Sequence, residues 1–387
     1  MNDASIDLAD AQGMRAASRD ALSLALIQSR NRTLAWLALF EGNDAAQYRP
    51  ALWLAGRAAW AQERGIARNL QRRRGQARTD VQNAPLASID VNADRWWGSE
   101  SGVQGEAPSF EATRAYLAET LEVTLDLLHG AASDDDGLQV YRAALFAEDA
   151  LLLRFVVLAQ AQQREQALRL LPQRGLHALR EPLWFAARSW SLGSAPGGFV
   201  PANEQWAHDE AVPEFEIDAQ AIAWTQFAEF VEDGGYDESR WWSPAGWDWL
   251  LARERRVPRD VEQLRHGVVL RRFGRLQRAP AGEAASMLSW YEADAWCRWA
   301  GRRLPTEVEW ELAASSGMSR GLAWGDLPEW VAGRARAWPG GAVVNAELRV
   351  QRGVAWFEPR RLAHPKARRF TAADDDAGFA GFRSCAL

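Results

Sequence analysis

The stretch "LSWYEADAWCRWAGRRLPTEVEWELAA" (residues 288–314) contains two short amphipathic helices joined by a turn. Each opens with a hydroxyl residue followed three places later by glutamate: Ser289 with Glu292, and Thr306 with Glu309. In such a box the hydroxyl accepts the free N–H at the third helical position, while the glutamate reaches back to the cap's own N–H. Gly301 and Gly317 follow the two apolar patterns and are expected to stop the helices in the left-handed conformation. Cys297, between Trp296 and Trp299, reads as a small buried hydrophobe rather than a reactive thiol.

Outward from these helices, the second half is a series of short apolar runs separated by turn residues. Examples are "FEIDAQAIAW" (215–224), "DGGYDESRWWSPAGW" (233–247), "WPGGAVV" (338–344), "RGVAWF" (352–357) and "GFAGFRSCAL" (378–387). Short strands around two capped helices predict an irregular, aromatic-rich α+β domain.

The first half differs. Apolar residues recur at three- and four-residue spacing through 21–40, 50–73, 109–129 and 138–162, which predicts four long helices and hence a bundle. One long connection, residues 74–108, holds Trp96 and Trp97 and is expected to fold over a mouth of the bundle. The expected division is a flexible N-terminus (1–14), a bundle (15–170), a linker (171–200) and the α+β domain (201–387).

Within the fourth helix, "LFAEDALLL" (145–153) keeps Glu148 and Asp149 in a greasy segment. On a helical wheel Glu148 lies beside the stripe formed by Ala144, Ala147, Leu151 and Phe155, so it is expected to be partly buried and to need a partner. Arg57, between Trp53 and Trp60 on the apolar side of the second helix, is the candidate. Either it pairs with Glu148 or Asp149, or it extends to the bundle mouth while Glu148 bonds the backbone.

Composition excludes several classes. The net charge of -6 with no dominant basic stripe argues against nucleic acid, although "RRRGQAR" (72–78) is locally basic. Cys297 and Cys385 are too few for a disulfide scaffold or a thiolate zinc site. The five histidines, His129, His177, His208, His266 and His364, do not stand in pairs at ligand spacing on one helix. No run reaches the roughly 20 apolar residues of a membrane span, and the N-terminus lacks an apolar signal core, so a soluble cytoplasmic protein is expected.

The 288–314 stretch, with "GDLPEWV" (325–331), "VQRGVAWF" (350–357) and "FAGFRSC" (379–385), resembles the formylglycine-generating-enzyme, or sulfatase-modifying-factor, superfamily. That resemblance implies an elaborated C-type-lectin-like domain. "NRTLAWL", "LWLAGRAAWAQERGIARN", "LFAEDALLLRF" and "NEQWAH" resemble the ergothioneine sulfoxide synthases and their selenoneine-synthase relatives, implying a DinB-like four-helix bundle in front of that domain. The family joins sulfur or selenium to hercynine with iron(II) and oxygen, and holds the iron on three histidines. Here the matching positions are Arg57, Ala147 and Leu151, none of which can bind iron, with Glu148 and Asp149 the remnant of an H-E-D-x-H pattern.

The resemblance therefore implies no iron cofactor, an ion pair of Arg57 that together with Leu151 fills the former metal cavity, and a non-catalytic paralogue or binding subunit. The alternatives are an active iron- and oxygen-dependent oxidoreductase with a non-standard metal site, and a lectin-like binder unrelated to imidazole chemistry. The implied ligands are a histidine betaine or a small thiol or selenol, with a protein partner possible in principle for a binding subunit. Residues matching the family's substrate segments are Trp330, Arg352, Trp356, Arg369 and Arg383, types suited to a trimethylammonium group and a carboxylate.

Overall fold

A computed structural model describes residues 7–42, 44–73, 86–99, 102 and 105–387. The chain divides into two units: Met1–Leu170 with Gly197–Val200 and Glu358–Leu362, and Leu171–Pro196 with Pro201–Phe357 and Ala363–Leu387.

The first unit is helical: α1 (Ala11–Arg15), α2 (Arg19–Ala38), α3 (Ala45–Gly65), α4 (Ala93–Trp97), α5 (Phe110–His129) and α6 (Asp135–Ala161). Ser18, Asp44, Ser109 and Asp134 cap the four long helices, each accepting a backbone N–H of the first turn. Helix α3 starts before Pro50 rather than at it, because Asp44 supplies the cap and Pro50 is tolerated at the cost of one intrahelical bond. It also ends at Gly65 and not at 73. Helix α2 packs on α6, and α3 packs on both α5 and α6. Leu22, Leu26, Leu128, Tyr141 and Leu145 form the centre of one apolar cluster in this unit.

Part of the connection expected over the bundle mouth, residues 74–85, lies outside the described residues, as do residues 1–6 of the expected flexible terminus. Its described part forms α4. Trp97 is fully buried there and stacks on Tyr116, with ring centroids 4.5 Å apart and planes 16° apart. Gly56 on α3 permits this: a Cβ at that position would lie 2.0 Å from the Trp97 Nε1.

The second unit opens with β1 (Leu183–Phe185) and β2 (Arg188–Leu192), inside the stretch expected as a linker. They are strands because β4 (Phe215–Ile217) pairs with β1 and β3 (His208–Val212) pairs with β2, burying Phe185 and Leu192. Helices α7 (Trp224–Glu232) and α8 (Pro244–Arg253) follow, then the meander β5 (Val261–Gln263), β6 (Val269–Arg272) and β7 (Arg275–Arg278).

Helices α9 (Trp290–Trp299) and α10 (Glu307–Ser316) come next, and both expected capping boxes are present. The Ser289 N–H donates to Glu292 at 2.7 Å, and the Thr306 N–H to Glu309 at 2.7 Å. Gly301 is left-handed at φ 64°, as expected after α9. Gly317 is not: its φ is -93°, and the left-handed residue is Gly321 (φ 99°), reached after a further 3₁₀ turn. The remaining strands β8 (Glu329–Trp330), β9 (Arg349–Arg352), β10 (Arg368–Thr371) and β11 (Gly381–Phe382) form one sheet ordered β10-β9-β8-β11. The largest core of this unit gathers Trp224, Phe227, Phe230, Trp242, Trp296 and Phe382. Among the described residues no helix is long and apolar enough to cross a membrane.

Candidate functional site in the helical bundle

A cavity of about 300 Å³ lies between α3 and α6. Helix α3 supplies Arg57, Ala58, Ala61, Gln62 and Gly65 to its wall, and α6 supplies Val140, Ala143, Ala144, Ala147, Glu148 and Leu151. Both sets recur at three- and four-residue spacing, one face of each helix. The space exists because most of those positions carry only a methyl group or hydrogen, so two helices held apart by larger neighbours leave a gap unfilled. Gln162 and Arg164, at the end of α6, bond Gln47 near the start of α3, so the two helices run antiparallel and Arg57 and Leu151 mark the same end of the cavity.

The floor is polar. Glu148 is 5% exposed and is held by Arg30 of α2, whose Nε and Nη2 donate to its two oxygens at 2.8 and 3.0 Å. Thr33 adds a hydroxyl donor at 2.8 Å. Arg30 also donates to the Leu117 carbonyl of α5 and to the Gln62 Oε1 of α3, so one buried guanidinium ties all four long helices together. Asp149, one residue on, faces another way: it accepts from Ser29 at 2.8 Å, from Arg32 at 2.9 Å and from Arg361 at 2.5 and 3.0 Å.

This corrects the expected pairing. Arg57 reaches neither Glu148 nor Asp149; its Nη1 donates to the carbonyls of Trp97 and Gly98 at 2.8 and 3.0 Å, and its guanidinium stacks 4.4 Å from the Trp60 ring centroid. Arg30 is in bidentate contact with Glu148 and supplies its counterion, while Arg57 is turned to the backbone carbonyls of Trp97 and Gly98. The expected plug of an Arg57 pair and Leu151 is likewise absent: Arg57, Ala147 and Leu151 converge on the cavity as lining, and the space between them is open.

Of the two tryptophans flanking Arg57, Trp53 donates to the Ser99 carbonyl at 3.0 Å and Trp60 to Asp94 at 2.7 Å. Asp94 is also gripped by Arg68 at 2.8 and 2.9 Å, and this pairing, helped by Trp60, pulls its carboxyl down to about 2. Arg154, one turn beyond Leu151, stacks 4.9 Å from the Trp53 ring centroid. The side chain is exposed overall, but partial desolvation of its guanidinium and the neighbouring Arg57 depress its basicity.

Could the cavity hold iron? Its walls offer a guanidinium and hydrocarbon at positions 57, 147 and 151, and a single carboxylate, Glu148, which is hydrogen-bonded on both oxygens to Arg30. The residues do not fit the group. Among the described residues, no cluster of three or more His, Cys, Asp or Glu could hold a metal elsewhere. His177 lies 2.9 Å from Asp326, and His208 bonds the Trp206 carbonyl at 2.9 Å.

Three of the five second-unit candidates are buried and bonded within that unit. Trp330 is fully buried and donates to the Leu288 carbonyl at 2.8 Å. Arg352 is fully buried with Nη2 on Glu311 at 2.5 Å. Arg383 is 1% exposed and bidentate on Glu329 at 2.5 and 2.8 Å, with its other donors on the carbonyls of Asp218 and Ala323. Trp356 is half-buried, donates to the Pro172 carbonyl at 3.3 Å and carries Arg174 over its ring. Arg369 is half-buried on β10 opposite Gln351.

Residues that sequence reasoning missed are Arg30, Gln62 and Arg361. Arg30 carried a signal, since it falls four places after Leu26 on the buried stripe that continues to Thr33 and Leu37. Arg361 carried none, being 212 residues from Asp149.

Comparison with known proteins adds the following. Residues 185–328 match the sulfatase-modifying factor enzyme 1-like domain, so the second unit carries that domain with its mixed helix and sheet. The chain is 38% identical over 128 residues to a hercynine oxygenase of Mycolicibacterium smegmatis, covering 32% of this chain and 29% of that protein. It is 30% identical over 234 residues to the hercynine oxygenase of Mycobacterium tuberculosis, covering 47% of this chain and 54% of that one. A formylglycine-generating enzyme of Streptomyces coelicolor is 34% identical over 153 residues, covering 35% of this chain and 48% of the enzyme. The matched region thus spans between 29% and 54% of these relatives' own lengths.

Proposed function

We propose that this protein is a non-catalytic relative of the hercynine oxygenases, a binding protein that does not use iron. One observation carries the reading: the three positions that converge on the bundle cavity offer no metal donor, and the single carboxylate beside them is engaged by Arg30 and Thr33. Oxygen activation of the iron-dependent kind needs open coordination positions on a held metal, and this donor set holds none. A DinB-like origin of the bundle belongs to the same reading. So does a histidine betaine as the ligand inherited from the relatives.

The test is iron content after anaerobic loading of the purified full chain with iron(II) and desalting. The expected result is iron far below stoichiometric; one tightly held iron per chain, with oxidative coupling of a thiol to hercynine, contradicts the proposal. Conversely, Arg57→His, Ala147→His and Leu151→His together place three imidazoles around one cavity. That triple variant is expected to gain cobalt(II) binding, visible as ligand-field absorption the parent protein lacks.

A further inference from the structure

The cavity has unused recognition chemistry at two depths. Gln62 is 3% exposed and lines the wall; its Oε1 is taken by Arg30, while its Nε2 is buried with no hydrogen-bond partner among the described residues. A buried amide donor without an acceptor is costly, and it marks a place where a ligand or water oxygen belongs. At the Arg57 end, Arg57 uses only Nη1 among the described residues, on two carbonyls, and Arg154, one turn beyond the lining residue Leu151, stacks on Trp53, one turn before Arg57 on its helix. Both guanidiniums are held over tryptophan rings and neither meets a carboxylate among the described residues. The rest of the wall is alanine, glycine, leucine, isoleucine and valine, with the Glu148 carboxylate held by Arg30 and Thr33.

We propose that this cavity binds a small amphipathic carboxylate. Its carboxylate sits at the Arg57 and Arg154 end, its hydrocarbon body lies along the alanine-lined walls, and an oxygen acceptor part-way along the body meets Gln62 Nε2. The charge pattern selects the anion: Glu148 in the wall is already neutralised by Arg30, whereas Arg57 in the wall and Arg154 just beyond it have no counterion among the described residues, so a carboxylate is favoured over an ammonium. Size agrees, since 300 Å³ is room for about ten water-sized groups at about 30 Å³ each. Gln62 lies five residues beyond Arg57 on α3, so the acceptor falls about 7–8 Å from the carboxylate end at 1.5 Å of rise per residue. The inference rests on the reading that the cavity holds no iron.

The test is calorimetric titration of the full chain with octanoate, with a keto-octanoate whose oxo group lies toward the chain end, and with octyltrimethylammonium. Octanoate is expected to bind saturably with Kd below about 1 mM. The keto acid should bind more tightly, and the ammonium should not bind. Arg154→Glu, at an exposed position whose side chain stacks on Trp53, should weaken octanoate by about tenfold without changing the melting temperature. Ala147→Phe, which fills the cavity, should remove binding, with the circular-dichroism spectrum confirming the fold. Absence of saturable octanoate binding, equal binding of the ammonium, or an unchanged affinity in Arg154→Glu would overturn the inference. A failure of octanoate in protein that also takes up no iron sinks this inference alone, whereas stoichiometric iron sinks the reading beneath it.

Discussion

Two regions carry arginine in apolar surroundings, and they treat it differently. In the second unit Arg383 is buried with its donors on Glu329 and on the carbonyls of Asp218 and Ala323, fastening strand β8 to the chain just beyond β11. In the bundle the work is divided: Arg30 is as deeply buried and as fully bonded as Arg383, whereas Arg57, on the neighbouring helix, stands half-exposed at the edge of open space. An arginine in an aromatic setting is therefore not by itself a binding residue. What separates the two cases is adjacent volume together with unused donors, and in the residues weighed above both are found at the bundle cavity.

The comparison is most severely stressed by removing a carboxylate from each fully bonded pair. Glu148→Ala leaves Arg30 buried without its counterion, and an unfolding midpoint in urea should report a loss of about 3–5 kcal/mol. Glu329→Ala should cost a similar amount through Arg383, and a loss below about 1 kcal/mol at either site would erase the distinction from exposed pairs. Gly56→Ala sets a Cβ against the buried Trp97 ring and should cost about 1–3 kcal/mol, read most directly as a change in tryptophan fluorescence on unfolding. Thr306→Ala deletes the cap of α10 and should cost about 1 kcal/mol by thermal melting.

The smallest effect sharpens the pH behaviour. Asp94 is held at about 2 against an ordinary 3.8, chiefly by Arg68, so its folded form has the lower pKa. Its contribution is complete above the unfolded value near 4 and is lost as pH falls toward 2. Because Asp94 is largely exposed, that contribution is a few tenths of a kcal/mol. Acid titrations of parent and Asp94→Asn should differ by a constant amount above about pH 4 and converge toward pH 2; a gap that persists at pH 2 refutes the assignment.

Much of the architecture could be read from the chain because it rests on local rules. The two hydroxyl-glutamate boxes place the starts of α9 and α10 to the residue, and three- and four-residue periodicity finds the four long helices. Convergence of positions 57, 147 and 151 follows from the same periodicity on two facing helices. Partner choice does not. Arg57 was the near and obvious cation for Glu148, yet Arg30 wins because it also satisfies Leu117 and Gln62, a network that exists only once four helices meet. The cavity itself is a sum of absent side chains, and no single residue announces it. Likewise β1 and β2 are too short to declare themselves without their partners β4 and β3.

The most direct measurement of the central claim is an anomalous difference map collected at the iron absorption edge from crystals grown after anaerobic iron(II) loading. The account predicts no peak in the space between Arg57, Ala147 and Leu151. A strong peak there, with protein ligands within bonding distance, would contradict it.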